Sequence, residues 1–329
     1  DKKRLWVSVY KDDDETRDLW INATDINEDR ILKFDKKENF WEMGDSGPCG
    51  PCTEIHYYFG DNIDEQDSSG VNKDDLYREI WNLVFIQYNR DENGKLNDLP
   101  QKHVDTGMGL ERIVGVLNNE HSNYETDLFK PITDSIADIS GLKYEIGEKG
   151  IPHRVIADHI RMLCFSIADG AMPSNEGRGY VLRRVLRRAS RFGRTLGMKQ
   201  EFLYKLVDSV IDIMGDSYIE IKEKQSHIKN VIKSEEESFG QTLDKGLEVF
   251  SSIVNELKSK KYEKYILSGS DAFKLYDTYG FPIDLTKLMA KEQNISIDEK
   301  GFIDCMNQQK KRSRSKSDFK VSTDNIDWV

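Results

Sequence analysis

Long apolar runs are missing from this chain of 329 residues: no stretch of 18 consecutive apolar residues occurs, which excludes a membrane-spanning helix. Cysteine is scarce, four in all, too few for a disulfide scaffold at this size and in keeping with a reduced, cytoplasmic protein. The opening DKKRLWVSVY has neither the apolar stretch nor the small-residue cleavage site of a signal peptide. Positive charge is in deficit, with 48 Lys and Arg against 59 Asp and Glu, a net charge of −11. That balance argues against non-specific nucleic-acid binding by the protein as a whole, although the charge is unevenly distributed. What is present, 37% hydrophobic and 33% charged residues, is enough for a real core, and the length suits two domains.

The first 142 residues read as a mixed α/β part. RLWVSVY (4–10) alternates and is rich in β-formers, predicting a strand, and DDETRDLWINA after it predicts a short helix. GDSGPCGPCT (44–53) holds three glycines and two prolines and predicts a turn-dense loop. REIWNLVFIQYN (78–89) is the longest β-like run. The Asn-Gly of RDENGKLNDLP predicts a hairpin returning through QKHVDTG, antiparallel to it. From 143 to 329 the pattern is almost wholly helical. IPHRVIADHIRMLCFSIADG, GYVLRRVLRRASRFGRTLG and EFLYKLVDSVIDIMG each close on glycine. A long charged helix covers roughly 219–260. GSDAFKLYDTYGFPIDLTKLMAKE reads as two helices broken at Gly280-Phe281-Pro282, and QQKKRSRSKSDFKVS as a solvated helix end entering a linker.

Three stretches carry chemistry. In VDTGMGLERIVGVL (104–117) glycine lets a backbone approach a ligand, and a helix starting there points free N–H groups at an anion. Arg112 can fork onto phosphate oxygens and Asp105 can hold an ammonium, a combination suited to a ligand with both groups. The plainer reading is a strand–turn–helix junction with a surface arginine. In NFWEMGDSGPCGPCTEIHYYFGD (39–61), Cys49 and Cys52 have zinc-ligand spacing and His56 could be a third ligand, with Glu54, Asp45 or a distant group completing the set. Alternatively the small residues form a rigid loop lining a tight pocket walled by Trp41. In RGYVLRRVLRRASRFGR (178–194) there are seven arginines and no acid. On a helix Arg184 and Arg188 align, as do Arg183, Arg187 and Arg191. Val181, Leu182, Val185, Leu186, Ala189 and Phe192 share the other side. This is either a phosphate-backbone footprint or a face paired with acids elsewhere. His153 and His159 read as packed or solvent-facing and receive no role.

Seven segments in order, NFWEMGDSGPCGPCTEIHY, EIWNLVFIQYNR, VDTGMGLERI, SNYETDLF, RVIADHIR, PSNEGRGYVLRRVLRRA and LYDTYGFPIDLT, resemble signature segments of the alanyl-tRNA synthetases, in their bacterial form. The resemblance runs from about residue 4 to residue 315 and implies a mostly antiparallel class II synthetase sheet with flanking helices (1–142), followed by an all-helical tRNA-recognition domain (143–329). It implies activation of L-alanine by ATP with Mg2+, then transfer to the acceptor end of tRNA(Ala), with no side chain as covalent nucleophile and no membrane partner. DTGMGLER resembles class II motif 3. By that likeness Trp41, Asn82, Val84, Asp105 and Gly107 bind the amino acid, Asp105 taking its ammonium. Gly107, Gly109 and Arg112 bind ATP. Asn175 and Asp277 read the acceptor-stem G·U pair, with Arg178, Arg183, Arg184, Arg187 and Arg188 on the tRNA backbone. The family's motifs 1 and 2 and its editing domain have no counterpart in these residues, so the resemblance is to an internal piece. The competing reading is a non-catalytic tRNA-binding module with an incomplete or decayed active site.

Overall fold

Strand β1 (Leu5–Tyr10) is followed by helix α1 (Asp14–Ala23), as the alternation and the acidic helix start predict. Asp13 caps α1, its carboxylate accepting from the Thr16 backbone N–H at 3.0 Å. β2 (Ile31–Phe34), the single-turn α2 (Lys36–Asn39) and β3 (Phe40–Glu42) lead into β4 (Gly47–Tyr58), β5 (Tyr77–Arg90) and β6 (Leu96–Met108), and α3 (Leu110–Asn118) leaves β6. The sheet order is β2-β1-β4-β5-β6, with β3 also on β4. Within this sheet only the β1–β2 pair is parallel, so the predicted mixed, largely antiparallel class holds. These elements form one compact unit, Asp1–Lys130, and the remainder forms a second, Pro131–Val329. The computed structural model describes residues 1–260 and 264–317. No helix among them is long and apolar enough to cross a membrane.

β1 is covered on both faces. Trp6 packs with Tyr58, Val71 and Tyr77 on one side, while Val7, Val9 and Ile31 meet Trp20, Ile21 and Ile26 on the other. Each such buried side chain contributes about 1.5–3 kcal/mol. The hairpin between β5 and β6 turns at Asp91–Lys95, where Gly94 has φ +82°. The Gly-Pro-Cys-Gly-Pro-Cys segment corrects the sequence reading, because it is the start of β4 rather than a turn-dense loop. A Cβ on Gly50 would collide with the carbonyl oxygen of Phe85, so the glycine serves a close strand approach. Pro48 precedes and Pro51 lies within the register shift between Cys49 and Cys52, where a missing ladder donor is tolerated.

The second unit is helical: α4 (Lys130–Ser140), α5 (Ile151–Ala168), α6 (Gly177–Thr195), α7 (Val207–Met214), α8 (Ile219–Glu223), α9 (Gln225–Ser259), α10 (Gly269–Tyr279), α11 (Ile283–Glu292) and α12 (Glu299–Ser317). A two-residue parallel ribbon joins β7 (Ile266–Leu267) to β8 (Ser296–Ile297). α5 buries Ile156, Ile160, Leu163 and Ile167 in one core. Phe239, Leu243, Phe250, Phe281 and Leu285 form another. α10 ends at Gly280, φ +69°, which turns the wholly buried Phe281 inward before Pro282 opens α11.

Three details depart from the periodicity. The 219–260 helix is interrupted at Lys224. Val181 is exposed rather than sharing the buried side of α6. The segment from Phe202 opens with a 3-10 turn (Leu203–Leu206), because its first amides donate to the buried Glu236 carboxylate, at 3.2 Å from Phe202 and 3.0 Å from Leu203. The expected linker beyond residue 317 lies outside the described residues.

Burial drives the Glu236 carboxyl up to about 8, against the two amide donors that favour its charge. The folded chain therefore holds a proton that the unfolded chain releases between about pH 4.5 and pH 8, and stability falls as pH rises through that window. Glu236→Gln keeps an accepting oxygen without the charge. Thermal melts are expected to match the parent near pH 4.5 and to shift above it beyond about pH 8.

Candidate functional site

Antiparallel pairing places Asn82 opposite Gly107 and Val84 opposite Asp105, and β3 brings Trp41 alongside Gly50. Trp41, Asn82, Val84, Asp105, Thr106 and Gly107 line one cavity of about 230 Å³. All five residues expected to bind the amino acid thus meet in one place. Trp41, 36% exposed, forms a wall open to solvent. A Cβ added to Gly107 would meet nothing within 4 Å, so the chain's own packing does not require glycine there. Asp105 accepts from the Thr106 backbone N–H at 2.9 Å, and Trp81 donates to the Thr106 hydroxyl.

Arg112 lies elsewhere. It lines a larger polar cavity of about 650 Å³ with His56, Arg78 and Glu79, in the first turn of α3 after Gly109. Its Nη1 donates to the Glu79 carbonyl at 2.7 Å and to Glu79 Oε2 at 3.1 Å. The Arg112 side chain is still 43% exposed, so an anion can approach it.

In the helical unit, Asn175, Arg183, Arg187 and Asp277 line a cavity of about 490 Å³ with Tyr180 and Gln309. Asn175 and Asp277 are far apart in sequence yet share this space. Arg183 donates to Asn175 Oδ1, and Gln309 from α12 donates to Asp277 Oδ1.

The model of the family described as tRNA synthetases class II (A) matches residues 1–327. The chain belongs to that family. It is 52% identical to the alanine–tRNA ligase of Chlorobium phaeobacteroides over 322 residues, covering 95% of this chain and 35% of that protein. Against the alanine–tRNA ligase of Chlorobaculum tepidum identity is 49%, covering 99% of this chain and 37% of the relative. Against that of Nitrosomonas europaea it is 47%, covering 98% and 36%. The chain therefore spans a little over a third of the length of these curated relatives.

The structure bears on two readings that the sequence of this class II synthetase chain left open. Among the described residues no group of three or more His, Cys, Asp or Glu side chains is placed to hold a metal ion. Cys49, Cys52 and His56 lie along one strand, and His56 Nε2 is 3.3 Å from both Ser8 Oγ and Glu54 Oε2. Burial, with the Glu54 charge beside it, pushes the Cys52 thiol up to about 12, surroundings that disfavour a free thiolate.

The arginine stripe is also largely paired with acids, the alternative that its composition left open. Arg183 grips Glu235 through Nε at 2.9 Å and Nη2 at 3.0 Å, and Arg187 reaches the same carboxylate at 2.8 Å. Arg184 pairs with Asp284 at 3.3 Å, Arg191 with Glu292, and Arg194 with Asp244 at 2.7 Å. Arg188, half-buried, has no hydrogen-bond partner for its Nε. Arg178 is exposed at the start of α6, without an ion pair among the described residues. Sequence reasoning missed Thr106, Glu79 and the polar residues under the first cavity. The run Thr-Glu-Ile-His in β4 was the available signal, since alternating polar residues in a buried strand need partners.

Removing Glu235 strands two guanidinium groups that are themselves mostly buried. Glu235→Ala is expected to cost on the order of 3 kcal/mol in denaturant unfolding of the chain. Loss within a few tenths would show the clamp to be idle.

Proposed function

We propose that the chain contributes the amino-acid pocket, part of the ATP site and the acceptor-stem reader of an alanine–tRNA ligase. The observation that carries this reading is the meeting of Trp41, Asn82, Val84, Asp105 and Gly107 around one small cavity. The Asp105 carboxylate takes the α-ammonium, Val84 and Trp41 give the methyl an apolar slot, and the bare backbone at Gly107 leaves room for the adenylate. The cavity's small volume favours a short side chain.

In the first step the alanine carboxylate attacks the α-phosphate of ATP and pyrophosphate leaves. In the second, a terminal ribose hydroxyl of tRNA takes the alanyl group and AMP leaves. No protein nucleophile is needed, and positioning with charge neutralisation carries the chemistry. Arg112, released in part from Glu79, neutralises the phosphates, with Gly109 keeping the backbone open at the helix start. Magnesium supplies further neutralisation of the phosphates when bound, and Glu79, a partly exposed carboxylate on Arg112, is the hard oxygen ligand suited to it. In the helical unit Asn175 and Asp277 offer short polar side chains to a base pair's edge. Exposed Arg178 meets the backbone. Arg183, Arg184, Arg187 and Arg188 frame the reader, their phosphate contacts depending on exchange with their internal partners.

Alanine-dependent ATP–pyrophosphate exchange tests the first step. Asp105→Asn is expected to lower alanine kcat/KM on the order of a hundredfold, the loss of one charge-assisted contact. Exchange indifferent to that change would sink the pocket assignment, and its absence in the folded parent chain would favour the non-catalytic tRNA-binding module. Asp277→Ala is expected to impair charging of tRNA while leaving exchange intact, and equal loss of both would remove Asp277 from the reader.

A further inference from the structure

Polar side chains without a role in the reading above lie inside the sheet around Asn82. Ser8, Asn39, Glu54 and His56 are each less than a tenth exposed. The Glu54 carboxylate is held from three sides. Ser8 Oγ donates to Oε2 at 3.1 Å, His56 Nε2 lies 3.3 Å from the same oxygen, and Asn82 Nδ2 donates to Oε1 at 3.2 Å. Asn39 Nδ2 donates to Ser8 Oγ at 2.8 Å, which leaves the serine proton for Glu54.

A carboxylate can only accept hydrogen bonds, whereas an amide has one donating and one accepting end. The end of Asn82 that faces Glu54 is therefore its NH2. The opposite end is then fixed as well. Asn82 Oδ1 is buried with no partner in the chain, on a residue that shares its cavity with Asp105. An orphaned buried acceptor is costly until a donor arrives. Glutamine in place of Glu54 could present either end, so Asn82 could rotate and turn an NH2 toward a cationic ligand.

We propose that Glu54 is a positioning residue that locks the Asn82 amide with its oxygen available to the ligand, pairing it with Asp105 as the acceptors of an amino acid's α-ammonium. The inference rests on the alanine-binding reading above. Ser8 and His56 serve it by holding the second carboxylate oxygen in place inside the sheet.

A polarity swap tests it. In alanine-dependent exchange Glu54→Gln is expected to raise the alanine KM about tenfold with a smaller effect on kcat. Asn82→Asp alone sets two carboxylates face to face and is expected to do worse. The double variant, Glu54→Gln with Asn82→Asp, reverses donor and acceptor while leaving an accepting oxygen for the ligand. Its KM is expected to return to within about threefold of the parent, a rescue that a merely structural role would not give. A wild-type KM in Glu54→Gln, or a double variant no better than Asn82→Asp, overturns the proposal.

Orientation can also be read without turnover, from solvent exchange of the Asn82 side-chain amide protons by nitrogen-15 NMR, identified by their loss in Asn82→Asp. They are expected to be protected in the parent and fast in Glu54→Gln. Fast exchange in the parent overturns the proposal even where the variants do not fold. A parent chain without exchange activity but with a protected Asn82 amide would count against the ligase reading alone.

Discussion

The close approach of β4 to β5 at Gly50 is the constraint from which the first unit's chemistry follows. With no side chain to separate them, the two backbones meet at Phe85, and the register slips between Cys49 and Cys52. Beyond the slip Cys52 faces Val84 and Glu54 faces Asn82. The same β5 residues then face Asp105 and Gly107 on β6. A different register would turn Glu54 and Asn82 to opposite faces, because side chains alternate along a strand. The cavity is thus a product of the sheet's ladder, with Trp41 added by the short β3.

Charge is handled differently in the helical unit. An arginine-rich helix in an acidic chain invites a purely electrostatic reading, yet five of its arginines hold acids on other helices. Glu235 is the centre of that arrangement, with two guanidinium groups on one buried carboxylate and Arg187 also reaching the Gly280 carbonyl at 2.6 Å. The carbonyl belongs to the turn that separates α10 from α11, so the clamp and the turn are fixed together. Asp277, three residues earlier, inherits its position from the same contact. The ion pairs of α6 tie it to α9 and α11, and the exposed Arg178 stands outside that arrangement.

Much of the fold could be read from local pattern. The alternation of β1, the hairpin at Asn93-Gly94 and the break at Gly280-Phe281-Pro282 are local signals with local causes. β4 was misread because Gly and Pro usually mark turns, whereas here a neighbouring strand accounts for Gly50, which no window of sequence contains. The pocket residues were legible through their motifs, and their convergence required the register. The arginine partners were not legible, since Glu235 lies 48 and 52 residues from the arginines it holds and Glu292 lies 101 from Arg191. Glu54 was visible only as a candidate metal ligand, and its actual neighbours, Ser8 and Asn82, lie on the strands to either side.

α9 runs for 35 residues, roughly 50 Å. Toward its start it buries Ile228 and Ile232, and further along Phe239, Leu243 and Phe250 enter the core formed with α10 and α11. Between these stretches sit Glu235, clamped by α6, and Glu236, holding the turn at Phe202. The helix therefore behaves as a shaft pinned about a third of the way along its length. A slip along its axis by one turn would break the arginine clamp, the carboxylate cap and the packing at both ends together, so the helical layers move as one body or come apart as one.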